Sequence, residues 1–448
     1  MEQMSNVEEL CRAYGLTGDG RAAVQKAYDV FRAHHGPFIA SIAAQMLPDL
    51  RRDAEAGSQV VFVGRDGHSF AAATKALDPD FYADHCREVV LSRVVVEAAV
   101  QDLERDDETR FSQISGLRSV RDRIDPESVP GSYRRLTGYL RSRGVPVDRD
   151  NSKVTLCDSS FKGTIQTLLA AAYPHTEFQG RYAFFGAVPG DPEAGRKTGY
   201  AVHIPNPDLL PEGQRPPFWG VPDDRQLTFA GIGATRVIED TLNGPLESPR
   251  RIDPAGVPDQ MPLSQATNPL EGLNPVVVGS EFRDPTVREA VKGAALLAVY
   301  DAALQYDRSA SETGDYQAQR VDFTNQTVAW LTDPSKADPQ FRQVMDSFVG
   351  REDRKTIEQI RSHFADSGVT PERAEPVWQE FDRLGSLDEK RVFASGVVKS
   401  ANEAPSVLRA SFPVSATAIR LPSGSPAQER ARDTGAWTPG ISAGGPAR

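Results

Sequence analysis

Long apolar runs, paired cysteines and an excess of basic residues are all missing from this sequence, and each absence removes a class of function. No segment approaches the roughly 20 consecutive apolar residues that a membrane helix needs, so no span is expected. The opening M-E-Q-M-S-N-V-E-E-L is acidic and polar where a signal peptide is basic and then apolar, which predicts a cytoplasmic location. The three cysteines, Cys11, Cys86 and Cys157, are widely spaced and odd in number. They fit neither a disulfide framework nor a C-x-x-C metal site and are expected as buried thiols. With 51 Lys and Arg against 62 Asp and Glu, a net charge of -11 argues against general nucleic-acid binding. Any anionic ligand must then be held by a local site. No fixed-period repeat is present.

What the 448 residues do contain is strand-loop-helix punctuation. In Lys153–Pro174, a β-branched run from Val154 to Cys157 stops at Asp158, a polar turn follows, and an apolar-periodic segment starts near Ile165. Such a turn can cradle an anion. Ser159, Ser160 and Thr164 bring hydroxyls, Gly163 lets the backbone approach a ligand, Lys162 adds a cation, and the following helix aims free N–H groups at the loop. Asp158 suits a sugar hydroxyl or a metal. The alternative is an ordinary turn with a Ser/Thr cap.

Residues 59–77 repeat the arrangement: Val60 to Val63 form a buried strand, Gly64 to Ser69 a turn, and Phe70 to Leu77 a helix. Arg65 can grip a phosphate bidentately, Asp66 can orient it or bind Mg²⁺, His68 is a candidate acid or base, and Gly67 allows close approach. The competing assignment is an Arg65–Asp66 ion pair with His68 as a helix cap. Together the two units predict an α/β fold with a parallel sheet and ligands at the carboxyl ends of its strands. Asp66, His68 and Asp158 are the catalytic candidates, and Asp66 and Asp158 the Mg²⁺ candidates. Val89 to Leu91 suggest a third strand, whose polar end supplies Arg93 as a further anion binder.

The remaining punctuation divides the chain into N-terminal helices over 1–56, an α/β core over 57–250, a loop-rich connection over 251–283, a helical unit over 284–421 and a disordered tail over 422–448. In the first part, Phe38, Ile42, Met46 and Leu50 recur at helical spacing after a break at Gly36-Pro37. His34 and His35 are adjacent and cannot share one helix face, so they make a poor metal pair. A short helix is expected over Thr235–Leu242, where Glu239 and Asp240 either face the site or cap. Asp284 and Pro285 open a long helix. More are expected at Phe323–Leu331, Pro339–Val349, Lys355–Ala365 and Pro371–Leu384, with Trp330, Trp378 and Phe381 in the core.

The ordered series G-P-F, V-V-F-V-G-R-D-G, V-L-S-R, C-D-S-S-F-K-G-T-I-Q-T-L and R-Y-A-F-F-G resembles a group of bacterial hydrolases placed in the HAD superfamily, which often occur with polysaccharide glycosyltransferases. The resemblance covers roughly residues 30 to 350 and adds Gln166, in its Gly-Thr-x-Gln helix start, to the substrate-binding candidates. Yet the D-x-D-x-T/V nucleophile loop of HAD phosphohydrolases is absent, so the chain resembles the module that lies beyond the HAD part of those proteins. A weaker, architectural similarity links the two loops to phosphoribosyltransferases, although Ser159 stands where their second adjacent acidic residue is usual. The function expected is an enzyme binding a phosphosugar or nucleotide, with glycosyl or phosphoribosyl transfer and Mg²⁺. The alternatives are a HAD-like phosphohydrolase and a non-catalytic partner in polysaccharide biosynthesis.

Overall fold

The computed structural model describes residues 6–105, 109–205, 233–262, 280–306, 316, 318–332, 334–349, 370–383 and 393. A five-stranded parallel sheet forms the centre, from β1 (Ser58–Val63), β2 (Cys86–Val89), β3 (Ser152–Asp158), β4 (Thr176–Gly186) and β5 (Lys197–Ile204). Its order is β2-β1-β3-β4-β5. The α/β class and the parallel sheet are as the sequence predicts.

Strand alternation divides the core into two layers. Val60 and Phe62 of β1 face α3 (Gly36–Glu55) and α4 (Gly67–Leu77), while Val61 and Val63 face α6 (Arg93–Glu104), α7 (Ser132–Ser142) and α8 (Thr164–Ala172). Both faces of the sheet are therefore covered, which is why the strands read as continuous apolar runs. The short helices α1 (Val7–Ala13) and α5 (Pro79–His85) add Leu10 and Phe81 to the first layer.

β2 lies earlier than the expected Val89–Leu91 because Val90 spends its N–H on the Tyr139 hydroxyl at 2.7 Å. The ladder ends there, and Leu91 packs with α6 and α7. β5 lies inside the α/β core expected over 57–250, at a place where the sequence singles out no strand.

The stripe of Phe38, Ile42, Met46 and Leu50 is fully buried, as its spacing implies. Gly36-Pro37 does not break the chain into separate helices. A π turn, Phe31–His35, joins α2 (Gly18–Val30) to α3, and the Gly36 N–H reaches back to the Phe31 carbonyl. This widened turn accommodates Pro37, which has no N–H to donate. Glycine is required at 36 because a Cβ there would lie 2.5 Å from that of Ala302. His34 and His35 have separate surroundings. His34 Nδ1 lies 2.6 Å from Asp322 Oδ2, whereas His35 is buried among Phe31, Phe323 and Phe341 with both ring nitrogens unpartnered among the described residues.

The compact unit holding the sheet runs from Met1 to Arg351 and includes α9 (Gly233–Leu242), α10 (Pro285–Leu304), α11 (Val321–Thr332) and α12 (Pro339–Phe348). Asp284 caps α10 by accepting the Thr286 N–H at 2.8 Å, with Pro285 in the first turn. The α10 helix lies against α2, α3 and α4, so it completes the first apolar layer. Trp330 is buried and donates to Asp346 at 2.8 Å. In the second unit, Glu352–Arg448, the described part includes α13 (Pro371–Arg383), which buries Val377 and Trp378. The expected Lys355–Ala365 helix, the Phe381 side chain and the tail from 422 lie outside the described residues. Among those described, no helix is long and apolar enough to cross a membrane.

One fully buried ion pair ties the β4–β5 connection to the loop after β3. Lys197 Nζ donates to Asp191 Oδ2 at 2.6 Å, Thr167 Oγ1 at 2.8 Å and the Lys162 carbonyl at 3.0 Å. Asp191→Ala strands the lysine and should cost about 3–5 kcal/mol by denaturant unfolding. Adding Lys197→Met should recover part of that loss; a double variant as unstable as the two single losses summed would show that the pair is not coupled.

Candidate functional site

The order β2-β1-β3 places the first strand between the second and the third, so successive connections leave β1 and β3 in opposite directions. A crevice opens at the carboxyl edge where such a sheet reverses, and ligands of doubly wound folds bind there. The loops singled out in the sequence end these two strands, which pair in parallel with Phe62 opposite Cys157. Arg65 and Asp66 thus neighbour Asp158 and Ser159. The Ser159 hydroxyl, fully buried, donates to Asp66 Oδ2 at 3.3 Å and links the loops directly.

The backbone makes this approach possible. Gly64 leaves β1 with φ +73° and donates its N–H to the Val89 carbonyl at 3.0 Å, a left-handed turn that favours glycine. At Gly67 the start of α4 passes close to β3, and a Cβ there would meet the Cys157 carbonyl at 3.1 Å. Gly163 also has positive φ, +61°, and a Cβ would lie 2.9 Å from Lys197 Cδ and Tyr182 Cε2. These glycines shape the edge; none is free to host a side chain without strain or displacement.

Acidic groups gather on that edge. Burial pushes the Asp66 carboxyl up, while Arg65 and the Ser159 hydrogen bond draw it down and Asp240 raises it further. Its Oδ1 is buried with no hydrogen-bond partner among the described residues. Asp158 is held well above the usual carboxylate range, first by burial and then by the neighbouring charges of Asp66 and Glu239. One of its oxygens accepts the Ser159 N–H at 2.7 Å. Glu239 of α9 is pushed up to about 8 by burial, Asp66 and Asp240. Like charges sharing a poorly solvated space keep protons that isolated carboxyls would lose.

Cations surround them without being paired. Among the described residues, the side chains of Arg65, Arg93, Lys162 and Lys292 make no hydrogen bond and no ion pair. Lys162 is lowered by burial and by Arg93. Lys292 of α10 is 5 % exposed and is brought down to about 7, chiefly by burial; Asp240 opposes this, and Arg288 and Arg65 add to it. Unpaired cations beside half-buried carboxyls suit an incoming anion.

Other candidates are engaged elsewhere. His68 Nδ1 lies 2.6 Å from Glu88 Oε2, and Tyr82 donates to the other oxygen of the same carboxylate. Burial raises the Glu88 carboxyl, but the His68 and Tyr82 hydrogen bonds with Arg143 outweigh it and hold the group low. Gln166 is fully buried, donates to the Phe178 carbonyl at 3.1 Å and accepts from Tyr182 at 2.8 Å, bracing α8 on β4. Ser160 Oγ accepts the Gly163 N–H at 3.0 Å and closes the turn from which Thr164 opens α8. Lys292 was not singled out by sequence, although one lysine in V-R-E-A-V-K-G-A-A-L-L was the available signal.

Two surface cavities lie away from this edge, one of about 410 Å³ beside Asp29, Arg32 and Tyr306, the other of about 440 Å³ beside Arg134, Arg135 and Gly256. Neither brings titratable groups into the mutual influence seen at the strand ends, so the chemistry locates the candidate site. Among the described residues no group of three or more His, Cys, Asp or Glu side chains is arranged to hold a metal. Asp66 and Asp158 still fit Mg²⁺, which is commonly bound by one or two carboxylates with water and substrate oxygens. The unpartnered Oδ1 of Asp66 is the donor such an ion would use.

A raised carboxyl stabilises the folded chain below its unfolded pKa, and that contribution is lost as pH climbs through the folded value, here about 8 for Glu239. Glu239→Gln mimics the protonated form at every pH. Its melting temperature relative to the natural chain should therefore rise between about pH 5 and 8 and level off above that, by the equivalent of on the order of 1 kcal/mol or more. A difference independent of pH would contradict the shared burial of these acids.

The chain matches no family model, no curated protein and no solved structure.

Proposed function

We propose that this protein is a cytoplasmic enzyme that binds a phosphosugar or nucleotide at the carboxyl edge between β1 and β3 and transfers its glycosyl or phosphoribosyl group. The observation that carries the reading is the set of unpaired cations, Arg65, Arg93 and Lys162, at the ends of three adjacent strands beside Asp66 and Asp158. An arginine can take a phosphate bidentately, and the N-termini of α4, α6 and α8 favour negative charge at the same edge. Glu239 retains its proton into the range where a leaving oxygen needs one, which suits general-acid work. Asp66 then orients a sugar hydroxyl. Mg²⁺, held by Asp66 and Asp158, would neutralise phosphate charge when bound.

A HAD-like phosphohydrolase is the second reading. It is favoured by the mutual influence of Asp66 and Asp158, since two carboxyls at neighbouring strand ends can divide the roles of base and acid. The missing D-x-D-x-T/V loop weighs against it. Binding without turnover, as in a partner of polysaccharide synthesis, is distinguished from both by product analysis.

Arg65→Ala removes a charge-assisted contact worth about 1.5–3 kcal/mol and should weaken phospho-ligand binding at least about tenfold. Because this guanidinium bridges no described carboxylate, the melting temperature of the free protein should hardly change. Thermal shift with orthophosphate, sugar phosphates and nucleotides, with and without Mg²⁺, reads both effects. Strong destabilisation with unchanged ligand shifts would remove Arg65 from the binding role.

A further inference from the structure

One histidine at the sheet edge is held by a single ring nitrogen. His68 stands in the first turn of α4, where its N–H reaches the Arg65 carbonyl at 3.4 Å, so it follows directly on Arg65 and Asp66 at the end of β1. Its Nδ1 lies 2.6 Å from Glu88 Oε2 of β2, and the Tyr82 hydroxyl of α5 donates to Oε1 of the same carboxylate. β1 and β2 pair in parallel with Phe62 opposite Glu88, which puts that carboxylate beside the strand end the Arg65 loop leaves. The His68 side chain is 24 % exposed, and its Nε2 makes no hydrogen bond among the described residues. His35 is the contrast: both of its nitrogens are sealed in the apolar layer.

The contacts decide which nitrogen can react. Burial raises the Glu88 carboxyl, but its hydrogen bonds with His68 and Tyr82 outweigh this, so the group is an ionised acceptor. Burial and the Glu88 charge push the Tyr82 phenol up, so Tyr82 keeps its proton and donates it. An ionised carboxylate needs a hydrogen on the atom facing it, which places the imidazole hydrogen on Nδ1. In the neutral ring the lone pair then belongs to Nε2, the nitrogen without a partner. The ring cannot turn or change tautomer without breaking a charge-assisted hydrogen bond. The same carboxylate meets the positive charge that spreads over the ring when Nε2 bonds to an electrophile. Arg143 donates only to the Glu88 carbonyl, from Nε and Nη2 at 3.2 Å, and Lys75 Nζ stands 6.0 Å from the Tyr82 ring centre, so neither is hydrogen-bonded to the carboxylate.

We propose that His68 is a phosphoryl acceptor whose Nε2 attacks the phosphorus of a phosphate monoester, with Glu88 and Tyr82 as its positioning residues. This rests on the reading of the strand ends as a phosphate site, and it gives the hydrolytic alternative the nucleophile that the missing D-x-D-x-T/V loop denies it. Arg65, at the start of the same turn, brings a cation to the phosphate oxygens. In the step, the Nε2 lone pair forms a P–N bond while the P–O bond to the leaving group breaks. The leaving oxygen takes the bonding pair and then a proton from water, and the ring becomes cationic with its Nδ1–H still on Glu88. A water molecule that afterwards attacks phosphorus gives up a proton to solvent, releases orthophosphate and returns the lone pair to Nε2.

The test exposes the full chain to phosphoramidate, a small donor that transfers its phosphoryl group to imidazole and releases ammonia, and maps the phosphorylated histidines by mass spectrometry at alkaline pH, where the P–N bond survives. His68 should be labelled at least about tenfold faster than His85, His175 and His203, which are more exposed but hydrogen-bond no carboxylate among the described residues. His34 meets Asp322 at 2.6 Å, but that carboxylate is 62 % exposed and screened by water, so His34 should also lag behind His68. Glu88→Gln keeps the shape, removes the charge and should slow labelling of His68 at least about tenfold, with Tyr82→Phe slowing it less. The comparison among histidines of the natural chain stands even if Glu88→Gln alters folding. Labelling of His68 no faster than of the other histidines, or undiminished in a folded Glu88→Gln variant, would overturn the assignment; the phosphate site would stand without it if orthophosphate still raises the melting temperature. Neither labelling nor an orthophosphate shift would remove both.

Discussion

Charge held out of water without a partner is the constraint on which the account of this molecule depends. A fold of this size readily buries apolar surface, and its two core layers do so with ordinary side chains. The carboxyl edge between β1 and β3 is different. There Asp66, Asp158 and Glu239 are crowded into raised proton affinity, and the buried Lys292 makes no hydrogen bond or ion pair among the described residues, while Arg65 and Lys162 are half-buried and Arg93 exposed at the same edge. Elsewhere the protein pairs its buried charges closely, as Arg118 does with Glu97 and Glu104, and Arg181 with Asp53. The contrast marks the edge as a place arranged for something that binds.

The fold supports that arrangement from beneath. Parallel strands in the order β2-β1-β3 bring loops distant in sequence to adjacent positions, and the Ser159 hydroxyl joins them through Asp66. Below the second loop, Lys197 holds the Lys162 carbonyl while its own charge is matched by Asp191. Rigid support of this kind fixes the Lys162 backbone and leaves its side chain available. The α10 helix, far along the chain, closes the opposite side and contributes Lys292.

Much of this was legible in the sequence where a local pattern determines the outcome. Val60 to Val63 before Gly64, and Val154 to Cys157 before Asp158, could only be buried strands ending in polar turns, and Asp284-Pro285 announced a capped helix. The failures have physical causes. β2 ends early because Tyr139, a residue of another helix, takes the Val90 N–H, and Gly36-Pro37 is absorbed by a π turn no local rule specifies. The surroundings of two site candidates were equally beyond local pattern: β2 brings Glu88 to the His68 ring, and Gln166 meets Tyr182 and the Phe178 carbonyl. Glu239 and Lys292 gain their significance only from tertiary placement, which brings α9 and α10 to bear on Asp66.

The most direct measurement is a crystal structure after soaking with tungstate, a heavy tetrahedral anion that stands in for phosphate and is located by anomalous scattering. The account predicts tungsten at the carboxyl edge between β1 and β3, with its oxygens within hydrogen-bonding distance of the Arg65, Arg93 or Lys162 side chains. Tungsten bound only at other surfaces, with the strand-end cations still unpaired, would contradict it.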